Sequence, residues 1–320
     1  LFNHVMPPYG PEGSGYGDAS RFRGRGPARA AKLGAVAAMV RSLTARSLRS
    51  PHTGNTSFRE DDKRIPAVAI STEDADYLAR LVGAGETRVR LEVATRNDPK
   101  ARSANVVGEL RGREKPDEIV VLGAHLDSWD VGQGAHDDGA GCVMAMQAIT
   151  LLRKLDLRPR RTIRVVLFTD EESGLEGAKT YGKTHAAELG SHVAAIETDS
   201  GGFRPVGFSV ETGPQALAGA VALAARIGPL LEPVGAGKID SGHGGADIGV
   251  LGREGVPLFG FNVEGSRYFD YHHSQADTLD KVDRADLALG AGVLAVMAYV
   301  LADQPETLPR APTPPPERPE

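Results

Sequence analysis

The chain is poor in the residues that most quickly betray a binding class. It has one cysteine, Cys142, in 320 residues, which excludes an internal disulfide and any thiolate cluster and leaves the redox compartment unmarked. Basic charge is not in excess: 37 Lys and Arg stand against 42 Asp and Glu, a formal net charge of −5. That balance argues against nucleic acid or an anionic membrane as partner, since both need a basic face. No apolar run reaches the ~18 uninterrupted residues of a membrane span. The opening LFNHVMPP carries neither a signal peptide nor an initiator methionine, so a processed or N-terminally incomplete chain is expected.

Glycine is abundant, with 39 residues, alongside 41% hydrophobic and 25% charged residues, which fits one large globular domain with a smaller one. Three regions differ. Residues 1 to about 88 begin rich in Gly, Pro and Arg. They continue through a helix-like run, ARAAKLGAVAAMVRSL, to a short strand, IPAVAI, and an amphipathic helix, EDADYLARLV. Residues 89–305 alternate strand and helix. RVRLEVAT, EIVVLGAHLD, TIRVVLFTDEE, HVAAIETDSGG and VPLFGFNVEG read as strands. AGCVMAMQAITLLRKL, GLEGAKTYGKTHAAEL, PQALAGAVALAARI and ADLALGAGVLAVMAYVLAD read as helices. In the first of these helices Val143, Met146, Ile149 and Leu152 recur at helical spacing. Apolar strands separated by helices predict an α/β domain, a mostly parallel mixed sheet with helices on both faces. Residues 306–320 are proline-rich and charged and read as a disordered tail.

The stretch GAHLDSWDVGQGAHDDGAG, residues 123–141, crowds two of nine histidines and four aspartates into a glycine-rich loop. Ligand sites of open α/β sheets lie beyond the carboxyl ends of the strands. Three strands here run into such groups: EIVVLGA into His125 and Asp127, TIRVVLFT into Asp170, Glu171 and Glu172, and VAAIET into Asp199. YHHSQADT adds His272 and His273 after the last strand. Carboxylates and imidazoles without thiolates suit catalytic zinc or another borderline divalent metal. A divalent cation would also offset the repulsion within the acidic loop. His125 and Asp127 share a strand face, so Asp127 can take the proton of the second ring nitrogen. Of the neighbours Glu171 and Glu172, one can bind metal while the other stays free as a base. The first aspartate of AHDDGAG can bridge two metals while the second braces the turn.

This set resembles the co-catalytic zinc aminopeptidases of clan MH, and most of all their carboxypeptidase Q branch. NVVGELRG, VVLGAHLDSWDVGQGAHDDGAG, RPRRTIRVVLFTDEESGLEGAKTY, ETDSGG, GADIGVL, EGVP, YHHSQADT and YVLAD carry the likeness in order over roughly residues 88 to 305. The resemblance implies His125, Asp137, Glu172, Asp199 and His273 as ligands of two zinc ions, with Asp137 shared. It implies Glu171 as general base, Asp127 as the partner of a ligand histidine, and a cis peptide at Asp138. His273 is chosen over His272 because the family's ligand lies four residues before the Asp-Thr aspartate, here Asp277. Residues 1–88 resemble part of a protease-associated domain inserted in this branch, so preceding peptidase residues are expected. The implied activity is an exopeptidase for dipeptides or peptide N-termini, secreted or periplasmic, able to form a homodimer.

Blander readings compete residue by residue. Paired acids usually open a solvated helix, Asp199 before SGG suits a turn, and Cys142 suits packing. His136 reads as structural, and His4, His52, His185 and His192 as non-catalytic. His243 reads equally as substrate-binding or solvent-exposed. Two other functional classes stand against the exopeptidase. One is a single-zinc aminoacyl cyclase or deacylase on the same fold. The other is an inactive peptidase-like binding protein, which would be expected to have lost ligands.

Overall fold

The computed structural model describes residues 1–10, 13–96 and 98–314. Two short parallel strands, β1 (Ala38–Arg41) and β2 (Ala67–Ile70), pair with each other near the N-terminus. Seven more form the main sheet: β3 (Val106–Leu110), β4 (Lys115–His125), β5 (Arg161–Phe168), β6 (His192–Glu197), β7 (Pro205–Glu211), β8 (Lys238–Ser241) and β9 (Leu258–Val263). Their order is β3-β5-β4-β6-β9-β7-β8. The central four, β5, β4, β6 and β9, are parallel. β3 runs antiparallel to β5 and β7 antiparallel to β9, while β8 is parallel to β7. The helices that matter below are α1 (Tyr16–Gly24), α2 (Gly26–Lys32), α3 (Thr72–Ala84), α4 (Ala140–Lys154), α5 (Glu171–Gly174), α6 (Glu176–Thr184), α7 (Pro214–Ala224), α8 (Tyr268–Tyr271) and α9 (Arg284–Asp303).

Helices cover both faces of the sheet, so its central strands are mostly apolar, and every residue of β5 is buried. The two-residue period of a strand divides β4 between two cores. Val120, Leu122 and Ala124 pack with Met144 of α4, Ala220 of α7 and Met297 of α9. Ile119 and Val121 pack on the other face with Ala178 and Tyr181 of α6. Two arginines in β5 are tolerated because each is fully engaged. Arg161 donates to Glu118 and to the Gln304 carbonyl, both at 2.5 Å. Arg164 reaches Glu109 at 2.7 Å, Glu188 at 2.6 Å and the Tyr181 hydroxyl at 2.9 Å.

Local expectations fail at identifiable places. The helix-like run from Ala28 stops with α2; Gly34 takes a left-handed φ of 90° and the chain re-enters as β1. On α4 the buried face is Met144, Ala145, Ala148 and Leu152, while Val143 and Met146 are 47% and 45% exposed. Alanines share the inward face with Met144 and Leu152 because the helix lies close to the sheet and α9. RVRLEVAT forms no strand among the described residues, and Val89 and Val93 are exposed; β3 takes the sheet edge instead. Strands β1, β3, β7 and β8 had no counterpart in the sequence reading.

The tail expectation is corrected over residues 306–314, while 315–320 lie outside the described residues. Leu308 enters the main core. Ala311 accepts from Gly213 N at 2.9 Å and Thr212 Oγ1 at 3.0 Å, and Thr313 N donates to Gly252 O at 2.9 Å. A proline-rich strand lacks donors but keeps its carbonyls, and the domain supplies donors to match. By length and mean hydropathy α9 and the stretch Pro214–Val234 could cross a membrane, although neither holds the uninterrupted apolar run of a span. In this fold they supply Leu294, Met297 and Leu301, and Ala220, Ile227 and Leu231, to one core.

Candidate metal centre

Parallel strands present their carboxyl ends along one edge, and that edge gathers the polar residues. His125 ends β4, and Asp127 follows it. Glu171 and Glu172 open the single turn α5 just past β5; Asp199 lies two residues beyond β6; His273 follows α8, which comes after β9. Asp137 sits in the buried turn 135–139 leading into α4, and the Asp137–Asp138 peptide is cis, as the resemblance implies.

Five side chains close on one another. His125 Nε2 lies 3.2 Å from Asp137 Oδ1 and 3.5 Å from Asp199 Oδ1. His273 Nε2 lies 3.1 Å from Glu172 Oε2 and 3.4 Å from Asp137 Oδ2. Asp137 is therefore common to two clusters, one with His125 and Asp199 and one with His272 and His273; Glu172 joins the second through His273. Both histidines present Nε2 because Nδ1 faces a main-chain carbonyl: Asp127 O at 3.0 Å from His125 and Thr53 O at 3.2 Å from His273. A carbonyl only accepts, so Nδ1 carries the proton and Nε2 keeps its lone pair for a cation.

The Asp127 carboxylate does something other than expected. Its Oδ1 is 3.8 Å from His125 Nδ1, too far for a hydrogen bond. Instead it accepts from Glu171 N at 3.0 Å and Glu172 N at 3.2 Å, fixing the turn that carries both glutamates. Asp138 braces its loop, accepting from His125 N and Gly141 N, each at 3.1 Å.

Two contributors were not singled out from the sequence. Asp277, used there only as a spacing marker, accepts from His136 N at 2.7 Å and Asp137 N at 3.1 Å, so it holds the shared aspartate in place. Asn55 Nδ2 donates to Glu172 O at 2.5 Å. The Asp-Thr pair was a usable signal for Asp277; nothing local marks Asn55, more than 100 residues from its partner.

Three further histidines are placed individually. His136 is buried, stacks on Phe203 and lies parallel to Tyr271, and accepts from Gly202 N at 3.1 Å. His272 stacks on His273 with ring centroids 3.6 Å apart, and its Nε2 is 3.7 Å from Asp137. Burial holds the His272 ring well below its ordinary pKa. His243 is exposed. Cys142 is buried, its thiol pointing at His125 O at 3.0 Å, and burial pushes its pKa up to about 12, far from a nucleophile.

Electrostatically the cluster is in conflict with itself. Burial, with Asp199 and Glu172 adding, raises Asp137 to about 6. Burial, with Asp199 adding, raises Glu171 to about 8. Burial pulls His125 down, yet Asp199 and Asp137 outweigh it and lift the ring well above its usual value. So many acids in a dry site need cations. The donor atoms agree: Asp137 Oδ2, Glu172 Oε1 and Asp199 Oδ1 are buried with no hydrogen-bond partner. Nitrogen and carboxylate donors of this kind fit divalent ions such as zinc. Beside them opens a cleft of about 690 Å3 lined by Asp127, Trp129, Asp130, Asp170, Glu172 and Glu176.

The family model for peptidase family M28 matches residues 105–308. The chain belongs to peptidase family M28. This M28 chain is 40% identical to carboxypeptidase Q of Xenopus laevis over 296 residues, 92% of its own length and 62% of that protein. It is 38% identical to carboxypeptidase Q of Mus musculus over 93% of its length and 63% of the relative's; it thus spans less than two thirds of these relatives. Among solved structures, a peptidase M28 precursor from Shewanella amazonensis SB2B superposes with a TM-score of 0.85 at 37% identity, covering 97% of this chain and 69% of that one. BSAP, a zinc aminopeptidase from Bacillus subtilis, superposes with a TM-score of 0.59 at 19% identity over 87% of this chain and 67% of its own, a likeness of fold.

One glycine of this M28 site is under direct steric control. A Cβ on Gly141 would run into Thr198 O and the Asp138 carboxylate. Gly141→Ala should therefore displace the brace under His125 and cost roughly 1–3 kcal/mol as overpacking. Denaturant unfolding together with zinc affinity checks this; unchanged values in both would mean the loop adapts freely.

Proposed function

We propose that this chain carries the catalytic part of a metal-dependent exopeptidase that hydrolyses dipeptides or removes N-terminal residues. The observation that supports this best is the sharing of Asp137 between two buried clusters of nitrogen and oxygen donors. His125, Asp137 and Asp199 would hold one divalent ion, and Asp137, Glu172 and His273 the second, both zinc. Bound ions of this kind polarise a water, lowering its pKa from ~15.7 towards ~7, and stabilise the charge that develops on the scissile carbonyl.

Glu171 is the base in this reading. Its carboxyl is mostly buried among the clustered acids, which with burial raises its pKa to about 8; cations held beside it would lower that towards neutrality, where one group can both accept a proton and return it. It takes the proton of the attacking water and delivers it to the leaving amine. Asp127, through the two amides it accepts from, keeps Glu171 and Glu172 in separate directions. The acidic cleft wall favours a cationic end of the substrate, so the free α-amine is the end held at the metal centre. Residues 1–88 we assign to part of a protease-associated domain; their loop at Thr53 and Asn55 reaches His273 and Glu172.

N-acetylation of a cleaved dipeptide should nearly abolish turnover, whereas amidating its C-terminus should matter less. Steady-state kinetics on the three compounds decides the point. The reverse order would make this a carboxypeptidase and end the amine-anchor reading.

A further inference from the structure

A second, smaller cavity of about 80 Å3 lies beneath the loop 52–56, against β1 and β2. Its polar walls are Arg23, Arg41, His52, Thr53 and Thr56, and no acidic residue lines it. His52 is 1% exposed; its ring faces the His272 main chain, and neither ring nitrogen makes a hydrogen bond of good geometry. The Nε atoms of Arg23 and Arg41 are likewise buried without partners. Two guanidinium Nε–H groups thus stay unpaired around one small space, beside the buried His52 ring, an arrangement that is costly unless something accepts from them.

The charges around it are unbalanced. Arg41 is neutralised from outside by Asp76, 2.5 Å away. Arg23 spends its outer nitrogens on the Thr53 carbonyl at 3.1 Å and the Tyr16 hydroxyl at 2.7 Å, and among the described residues no carboxylate pairs with it. Burial pushes the His52 pKa down to about 4, so its ring is a neutral donor and acceptor. The space would take about two waters at ~30 Å3 each, or one small anion, and the uncompensated guanidinium favours the anion.

We propose that this cavity binds one small monovalent anion, a halide or a carboxylate group, held by Arg23, Arg41 and His52. The site bears on the metal centre through the adjoining residue. Thr53 N donates to His273 O at 2.9 Å and Thr53 O faces His273 Nδ1 at 3.2 Å, so an anion that orders this loop also orders a candidate ligand. The anion comes either from solvent or from the terminal carboxylate of a substrate. Only the second source rests on the exopeptidase reading.

The test begins with thermal unfolding of the zinc-loaded chain at fixed ionic strength, replacing a bulky sulfonate buffer salt by chloride or formate. The wild type should show a saturable rise in Tm of roughly 2–4 °C once the anion exceeds its Kd about fivefold, and Arg23→Gln should lose it. Because that variant can disturb Tyr16 as well, bromide in crystals of the unmodified chain provides a second reading, an anomalous peak between Arg23 and His52. Kinetics separates the sources. Chloride that raises KM for a dipeptide and not for its C-terminal amide identifies the substrate carboxylate as occupant; equal effects on both identify a free ion. Absence of a saturable response together with an empty or water-filled cavity under bromide overturns the proposal. Failure to cleave any peptide would sink the exopeptidase reading and leave the unfolding and bromide results standing.

Discussion

Glu171→Gln should leave the metal content unchanged and lower kcat by ~10²–10⁴-fold, the usual worth of general-base catalysis. The loss can be larger, since the same carboxyl returns the proton to the leaving amine. Its neighbour behaves differently. Glu172 Oε2 lies 3.1 Å from His273 Nε2 within the cluster, so Glu172→Gln exchanges a charged ligand for a neutral one and zinc affinity falls first. Excess zinc should restore part of the Glu172→Gln activity and none of the Glu171→Gln activity. Both amides keep the main-chain bonds to Asp127, so neither result reflects a lost turn. Metal content and activity, each measured against zinc concentration, decide it. Rescue of the Glu171 variant by zinc would reverse the two roles.

Asp137→Asn should be the most damaging single change to metal binding, because one carboxylate serves both clusters. Polarisation by metal is worth several kcal/mol, and each ~1.4 kcal/mol is tenfold, so a loss of ~10³-fold or more in turnover is expected. Stability should respond with opposite signs in the two metal states. Without metal, the substitution removes a buried acid that Asp199 and Glu172 crowd, so the metal-free variant should be at least as stable as the metal-free wild type. With metal, the wild type gains by binding and the variant does not. Unfolding of both proteins with and without zinc shows whether the crossover exists. Equal zinc stabilisation of the two would mean that Asp137 is not a ligand.

Much of this centre is legible in the sequence because strand ends are. An apolar run stopping at a histidine or acid, as at His125, Glu171 and Asp199, places that residue at the sheet edge before any coordinates are known. The shared position of Asp137 is less local: its carboxylate meets His273 only because β9 lies beside β6, a long-range pairing. The Asp127 carboxylate shows the same limit of local spacing. Two-residue spacing put its carboxylate under the His125 ring, but the chain has left the strand by then, and the amides of α5 compete for it. The missed edge strands have weak patterns of their own, β3 having no buried residue and β8 being four residues long. The face of α4 was misread because close packing selects small residues, which size-weighted hydropathy passes over.

Zinc stoichiometry tests the central claim most directly. The metal-free chain is titrated with zinc, freed of unbound metal by gel filtration, and analysed for zinc per chain, with activity followed in the same samples. Two ions per chain, ~3.5–4 Å apart by X-ray absorption, are predicted, with full turnover only as the second binds. One ion per chain at saturation, or two ions too far apart to share Asp137, would contradict it.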